Sequence, residues 1–117
     1  MTQYKATPAF ETARRNIDGL KDAPNPIASP DQHDQLLAYC LFKQTTKGDV
    51  TGSRPFFGAE AVKFDARALV RGTARQEADA RYVNCAGYIL EGMELSEENK
   101  DLLEKIRKLG TFSLLNW

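Results

Sequence analysis

A chain of 117 residues is long enough to bury one hydrophobic core and short for two. Its sixteen basic and sixteen acidic side chains cancel, so no global field draws it to nucleic acid or to an anionic membrane, and any anion site has to be a local cluster. No apolar run of signal-peptide length opens the chain and none later approaches the roughly 18 apolar residues of a membrane span, which sets the expectation of a soluble, cytoplasmic protein with no integral membrane segment.

Thr7 followed by Pro8 reads as an N-cap with proline at the first helical position, and Phe10, Ala13, Ile17 and Leu20 recur behind it at three- and four-residue steps. The three prolines of DAPNPIASP then forbid helix. Ser29 and Pro30 repeat the cap-plus-proline signal with Gln32 in the capping-box position. Leu36, Leu37, Cys40 and Leu41 form the apolar face of a second helix running to about Thr46. Gly48 is placed for the positive-φ turn that closes it. The pattern Ala61, Val62, Phe64, Ala68 and Leu69 predicts a shorter third helix over Ala59 to Arg71, stopped by Gly72. Thr73 predicts the cap of a fourth, with Gln76 in the box position and Ala78, Tyr82, Cys85, Ala86 and Ile89 as its inward stripe up to Gly92. Ser96 opens a fifth, lined by Leu102, Leu103, Ile106 and Leu109 before Gly110, and Phe112, Leu114, Leu115 and Trp117 follow as an apolar tail. The expected fold class is all-α.

The residue inventory points away from catalysis. The single histidine, His33, lies between Asp31 and Asp34 and reads as solvated. In TTKGDVTGS the lysine precedes the glycine, the wrong order for a phosphate-cradling nucleotide loop. Cys40 and Cys85 have no C-x-x-C spacing and read as small buried apolar residues rather than metal ligands. The expectation is a non-enzyme with no metal and no cofactor. Tyr39, Phe42 and Lys43 nevertheless share a helix face at i, i+3 and i+4. Spacing alone favours a core boundary, with the lysine stem packed and its ammonium in water. The other reading is functional: a ring for stacking, a phenol for hydrogen bonding and a lysine in the last turns of a helix are the parts that hold a phosphorylated purine nucleotide, given a second cation from another helix.

The blocks LLAYCLFKQTTKGDVTGSRP, VKFDAR and RGTARQEADARYV, in this order, resemble the acyl-CoA-binding protein family from about Phe10 to Gly92. The most specific element, Y-x-x-[YF]-K-Q followed by G-D and R-P, is met by Tyr39, Phe42, Lys43, Gln44, Gly48, Asp49, Arg54 and Pro55; K-[WF]-D-A at Lys63 to Ala66, and Gly72 with Tyr82 ten residues on, support it. The resemblance implies a four-helix bundle, here carrying a C-terminal fifth helix, that binds long-chain fatty acyl-CoA and acts as an intracellular carrier and buffer for lipid metabolism. It implies that Tyr39 hydrogen-bonds near the 3′-phosphate, that Phe42 stacks on adenine in place of the more usual tyrosine, and that Lys43 with Lys63 neutralises phosphate. Tyr82 would complete the pocket from the fourth helix, and Leu36 falls where the family contacts the acyl chain. The chain departs from the family at Asp18 and Ala59, where basic residues are frequent, and Arg14, Arg15 or Arg67 is the candidate replacement. The expected organisation is an acyl-CoA-binding domain over 1–92 and a C-terminal helical extension over 93–117. That extension is expected to pack on its own bundle, the alternatives being that it borders the acyl groove or meets a protein partner or a second copy. Two rival functions are a helical protein-interaction module of the same fold with weak or lost acyl-CoA binding, and a binder of free nucleotide or coenzyme A.

Overall fold

The computed structural model describes residues 4–20 and 31–109, and among them finds five helices and no strand. The first, α1 (Pro8–Gly19), starts as its sequence predicts: Thr7 is extended, Pro8 occupies the first turn, and the Thr7 hydroxyl accepts the Phe10 N–H at 3.1 Å. The second, α2 (Gln32–Lys47), is capped one step later than predicted. Asp31 accepts the Asp34 N–H at 2.8 Å, so Gln32 is the first helical residue rather than a capping-box partner, and Ser29 and Pro30 lie outside the described residues. A carboxylate at this position also complements the positive end of the helix dipole. Gly48 closes α2 at φ 80°, as expected. His33 is half-buried rather than solvated.

The third helix, α3 (Ala59–Leu69), stops two residues before the predicted end. Tight turns, Arg71 N–H to Ala68 C=O and Thr73 N–H to Val70 C=O, take over there and drop Val70 into the core. The buried face is therefore Ala61, Val62 and Ala66, while Phe64 is only half-buried and Leu69 is exposed. The fourth helix, α4 (Arg75–Glu91), is preceded by Ala74 with no side-chain cap, not by Thr73. Tertiary partners fix this end instead: Gln44 Nε2 donates to the Thr73 carbonyl at 2.7 Å, and the Arg75 guanidinium donates to the Thr45 and Thr46 carbonyls at 2.8 and 2.7 Å. Those carbonyls are in the last turn of α2, where a cation is favoured by the dipole. Gly92, in the left-handed region, ends α4, with Gly92 and Met93 N–H groups returning to Tyr88 and Gly87.

One core joins all five helices. Phe10 from α1, Leu37 and Leu41 from α2, Val62 and Ala66 from α3, and Tyr82 and Cys85 from α4 belong to the same cluster as Leu102, Leu103 and Ile106 of the fifth helix, α5 (Glu97–Arg107). Cys40 and Cys85 are both free and buried within it, and burial pushes both thiols well above the ordinary range. Helix α2 is central: α3, α4 and α5 pack on it, while α1 packs on α4. Two polar knots hold the periphery. The buried Asp79 carboxylate accepts the Tyr4 hydroxyl, the Thr7 N–H and the Thr7 hydroxyl at 2.8 to 2.9 Å, fixing the start of α1 to α4. The fully buried Asn99 donates to the Arg81 carbonyl at 2.9 Å and to Asn84 Oδ1 at 3.0 Å, and accepts from Arg81 Nε at 3.1 Å, fixing α5 to α4. Phe112, Leu114, Leu115 and Trp117 lie outside the described residues.

Candidate functional site

Helical spacing puts Tyr39, Phe42 and Lys43 on one face of α2, and the structure brings two further cations to them from other helices. Lys43 Nζ lies 5.9 Å from the Tyr39 ring centre and 6.0 Å from that of Phe42. Lys63 Nζ, from α3, lies 5.6 Å from the Tyr39 ring. The Arg14 guanidinium carbon, from α1, lies 5.8 Å from the Phe42 ring. Cation and ring thus alternate in the order Lys63, Tyr39, Lys43, Phe42, Arg14 across three helices. The negative ring faces attract the cations and separate like charges that would otherwise repel one another.

The rings are held from behind. Phe42 stacks on Phe10 with ring centres 5.8 Å apart and planes 12° from parallel, and Tyr82 tilts against both at 6.1 and 4.8 Å. Tyr82 is almost completely buried and its phenol is pushed up by that burial, so it stands in the wall that orients Phe42. Tyr39 is half-buried; burial pushes its phenol above the ordinary value against the opposing pull of the Arg67 guanidinium, which keeps the hydroxyl protonated and able to donate at neutral pH. The Lys63 side chain is only 14% exposed, with its stem covered and its ammonium 3.4 Å from Glu60, a carboxylate that is 74% exposed. Leu36, one turn before Tyr39, is a core residue at 2% exposure.

Other residues of the same sequence blocks fix the frame that aims Lys63 at Tyr39. Gln44 Nε2 and the Gly72 N–H both donate to Asp49 Oδ1 at 2.8 Å, and these two bonds hold the Asp49 carboxyl below its usual range. Arg54 pairs with Asp65 through two parallel bonds of 2.8 and 3.0 Å, pinning the connection between α2 and α3 onto α3 and leaving Phe56 and Phe57 in solvent just before it. Arg67 donates to the Gly48 carbonyl at 3.3 Å at the end of α2, and Arg15 donates to Thr12 in solvent at 3.5 Å. Of the three candidate arginines, Arg14 lies against the Phe42 ring of the arc. Its place had a sequence signal: Phe10, fully buried against Phe42, is one helical turn earlier on the same face.

Three cations around two rings can hold a planar base and several phosphate oxygens, with a protonated phenol as donor. Among the described residues, no three His, Cys, Asp or Glu side chains gather as a metal site, and no helix is long and apolar enough to cross a membrane. A family model described as acyl CoA binding protein matches residues 7–86. An acyl-CoA-binding protein of Brassica napus is 42% identical over 66 residues, covering 55% of this chain and 72% of that protein. Its counterpart in Gossypium hirsutum is 38% identical over 75 residues, covering 62% and 81%. The crystal structure of ACBP from Moniliophthora perniciosa superposes with a TM-score of 0.65 at 30% identity, over 89% of this chain and 99% of that one.

Proposed function

This chain belongs to the acyl-CoA-binding protein family, and from that premise we propose that its arc of rings and cations holds the nucleotide end of a long-chain fatty acyl-CoA while the bundle shelters the hydrocarbon. It binds acyl-CoA and carries it. Its role is sequestration and delivery for lipid metabolism in the cytoplasm, with no catalytic step, cofactor or nucleic-acid partner. The observation that carries this reading is the convergence of Lys43 and Lys63, from two helices, on the one Tyr39 ring.

Within this reading Lys43 and Lys63 neutralise phosphate, Tyr39 donates to it, Phe42 offers its face to adenine with Tyr82 as its support, and Leu36 belongs to the apolar floor beneath the acyl chain. Residues 1–92 form the binding domain and 93–117 an extension whose helix is built into the same core. The two ends of the ligand contribute differently. Each buried methylene is worth about 0.8 kcal/mol, so a 14-carbon stretch contributes on the order of 10 kcal/mol before the costs of association, whereas one charge-assisted hydrogen bond contributes roughly 1.5 to 3 kcal/mol. Hydrocarbon dominates affinity and the lysines dominate head-group selectivity.

Native mass spectrometry of the full chain with an equimolar mixture of palmitoyl-CoA and coenzyme A tests the proposal. A carrier retains the palmitoyl thioester in preference to coenzyme A. A protein-interaction module retains neither, and a nucleotide binder retains both alike; either result refutes it.

A further inference from the structure

The arc has a cation at each end, and only one of them comes from the sequence blocks that mark the site. Lys63 ends it on α3; Arg14 ends it on α1, 5.8 Å from the centre of the Phe42 ring. The packing of Phe10 decides this placement. Phe10 is fully buried and stacks on Phe42, so the side chain one turn later on the same face of α1 starts close to that ring. The competing partner of Arg14 is weak: Glu11 comes within 3.5 Å, but the two side chains are 45% and 50% exposed. Arg67 is engaged by the Gly48 carbonyl, and Arg15 faces solvent beside Thr12. Asp18, one further turn along α1, supplies charge of the wrong sign.

We propose that Arg14 is a third phosphate-binding cation of the acyl-CoA site, holding the nucleotide from the end of the arc opposite Lys63. The inference rests on the acyl-CoA reading above and adds to it a binding residue that lies outside the ligand-binding motif. A guanidinium suits the position for two reasons. Its charge lies 5.8 Å from the centre of the Phe42 ring, beside a base that stacks there, and its fork can pair with two phosphate oxygens at once. The charge is the larger part of the effect, because the ligand is a polyanion and Phe42 already supplies a stacking face.

The test is calorimetric titration of the full chain, as wild type, Arg14→Gln, Arg14→Lys and Arg15→Gln, with octanoyl-CoA and palmitoyl-CoA. Removing the charge at Arg14 should weaken both esters by about ten-fold and by the same factor, the loss expected for one charge-assisted phosphate contact. Keeping the charge as lysine should hold the loss below about three-fold, and Arg15→Gln should change nothing. Because Arg14 is half exposed, thermal unfolding of all four proteins should coincide. The proposal is overturned if Arg14→Gln binds within two-fold of wild type, if lysine is as weak as glutamine, or if the loss grows with chain length, which would place Arg14 on the hydrocarbon. A wild type that binds neither ester removes the acyl-CoA reading itself, and this inference with it; a wild type that binds beside an unaffected Arg14→Gln removes this inference alone.

Discussion

Replacing Lys63 with alanine separates the head of the ligand from its tail. The ammonium it removes stands 5.6 Å from the Tyr39 ring on a stem that is largely covered, so its interaction with phosphate is less screened than that of a surface lysine. A charge-assisted hydrogen bond of this kind contributes roughly 1.5 to 3 kcal/mol. The ligand must first draw Lys63 from Glu60, a 3.4 Å pair worth under about 1 kcal/mol because the Glu60 carboxylate is exposed to solvent. The net loss expected on Lys63→Ala is therefore about ten-fold in Kd, or about 1.4 kcal/mol. Chain length enters independently, each methylene adding up to about 0.8 kcal/mol, close to four-fold. Calorimetry with octanoyl, dodecanoyl and hexadecanoyl esters should give two parallel lines of binding free energy against carbon number, displaced by that ten-fold. Coincident lines would show that Lys63 does not meet the head group. Lines that converge or diverge with length would show that head and chain are not held independently, and the division of labour argued above would fail.

Asp79→Ala should lower unfolding free energy by about 1 to 3 kcal/mol in urea denaturation, because the Tyr4 and Thr7 donors it satisfies are left without their acceptor; an unchanged midpoint would show that water replaces it. Asn99→Leu should cost a similar amount while chiefly accelerating amide exchange in α5, since the Arg81 carbonyl and Asn84 lose their partner there, and uniform acceleration over the bundle would refute that local role. Asp49 ionises more readily in the folded chain than unfolded, because Gln44 and the Gly72 N–H donate to it. Its contribution is present above the ordinary carboxylate value of about 3.9 and is lost as pH falls through its lower folded value. Asp49→Asn should therefore make the fall of Tm below about pH 4 shallower than in wild type; parallel profiles would exclude this group from the acid transition.

How much of this was legible in the residues differs from element to element. The caps at Thr7 and Ser96 and the glycine stops at Gly48 and Gly92 are local chemistry, decided by an oxygen three residues from an N–H or by a φ that only glycine adopts freely. They could be read directly. The start of α4 could not: it has no side-chain cap and is tied to α2 by Gln44 donating to the Thr73 carbonyl and Arg75 donating to the Thr45 carbonyl, and a partner some thirty residues away leaves no trace in the neighbouring sequence. The inward face of α3 was misplaced for a related reason. Val70 is buried from the turn that follows the helix, so a purely helical period assigns its place to Leu69.

The site divides along the same line. Sequence spacing alone put Tyr39, Phe42 and Lys43 on one helix face, and the order of the motif blocks marked Lys63, because periodicity and motif are properties of the chain. Tertiary structure decided that Gln44, Asp49 and Arg54 brace the frame, that Tyr82 stands behind Phe42, and that Arg14 lies at the Phe42 end of the arc. These assignments depend on which faces of α1, α2, α3 and α4 meet, and that is set by the mutual burial of Phe10, Phe42 and Tyr82, whose contact energy exists only once helices distant in sequence have been brought together.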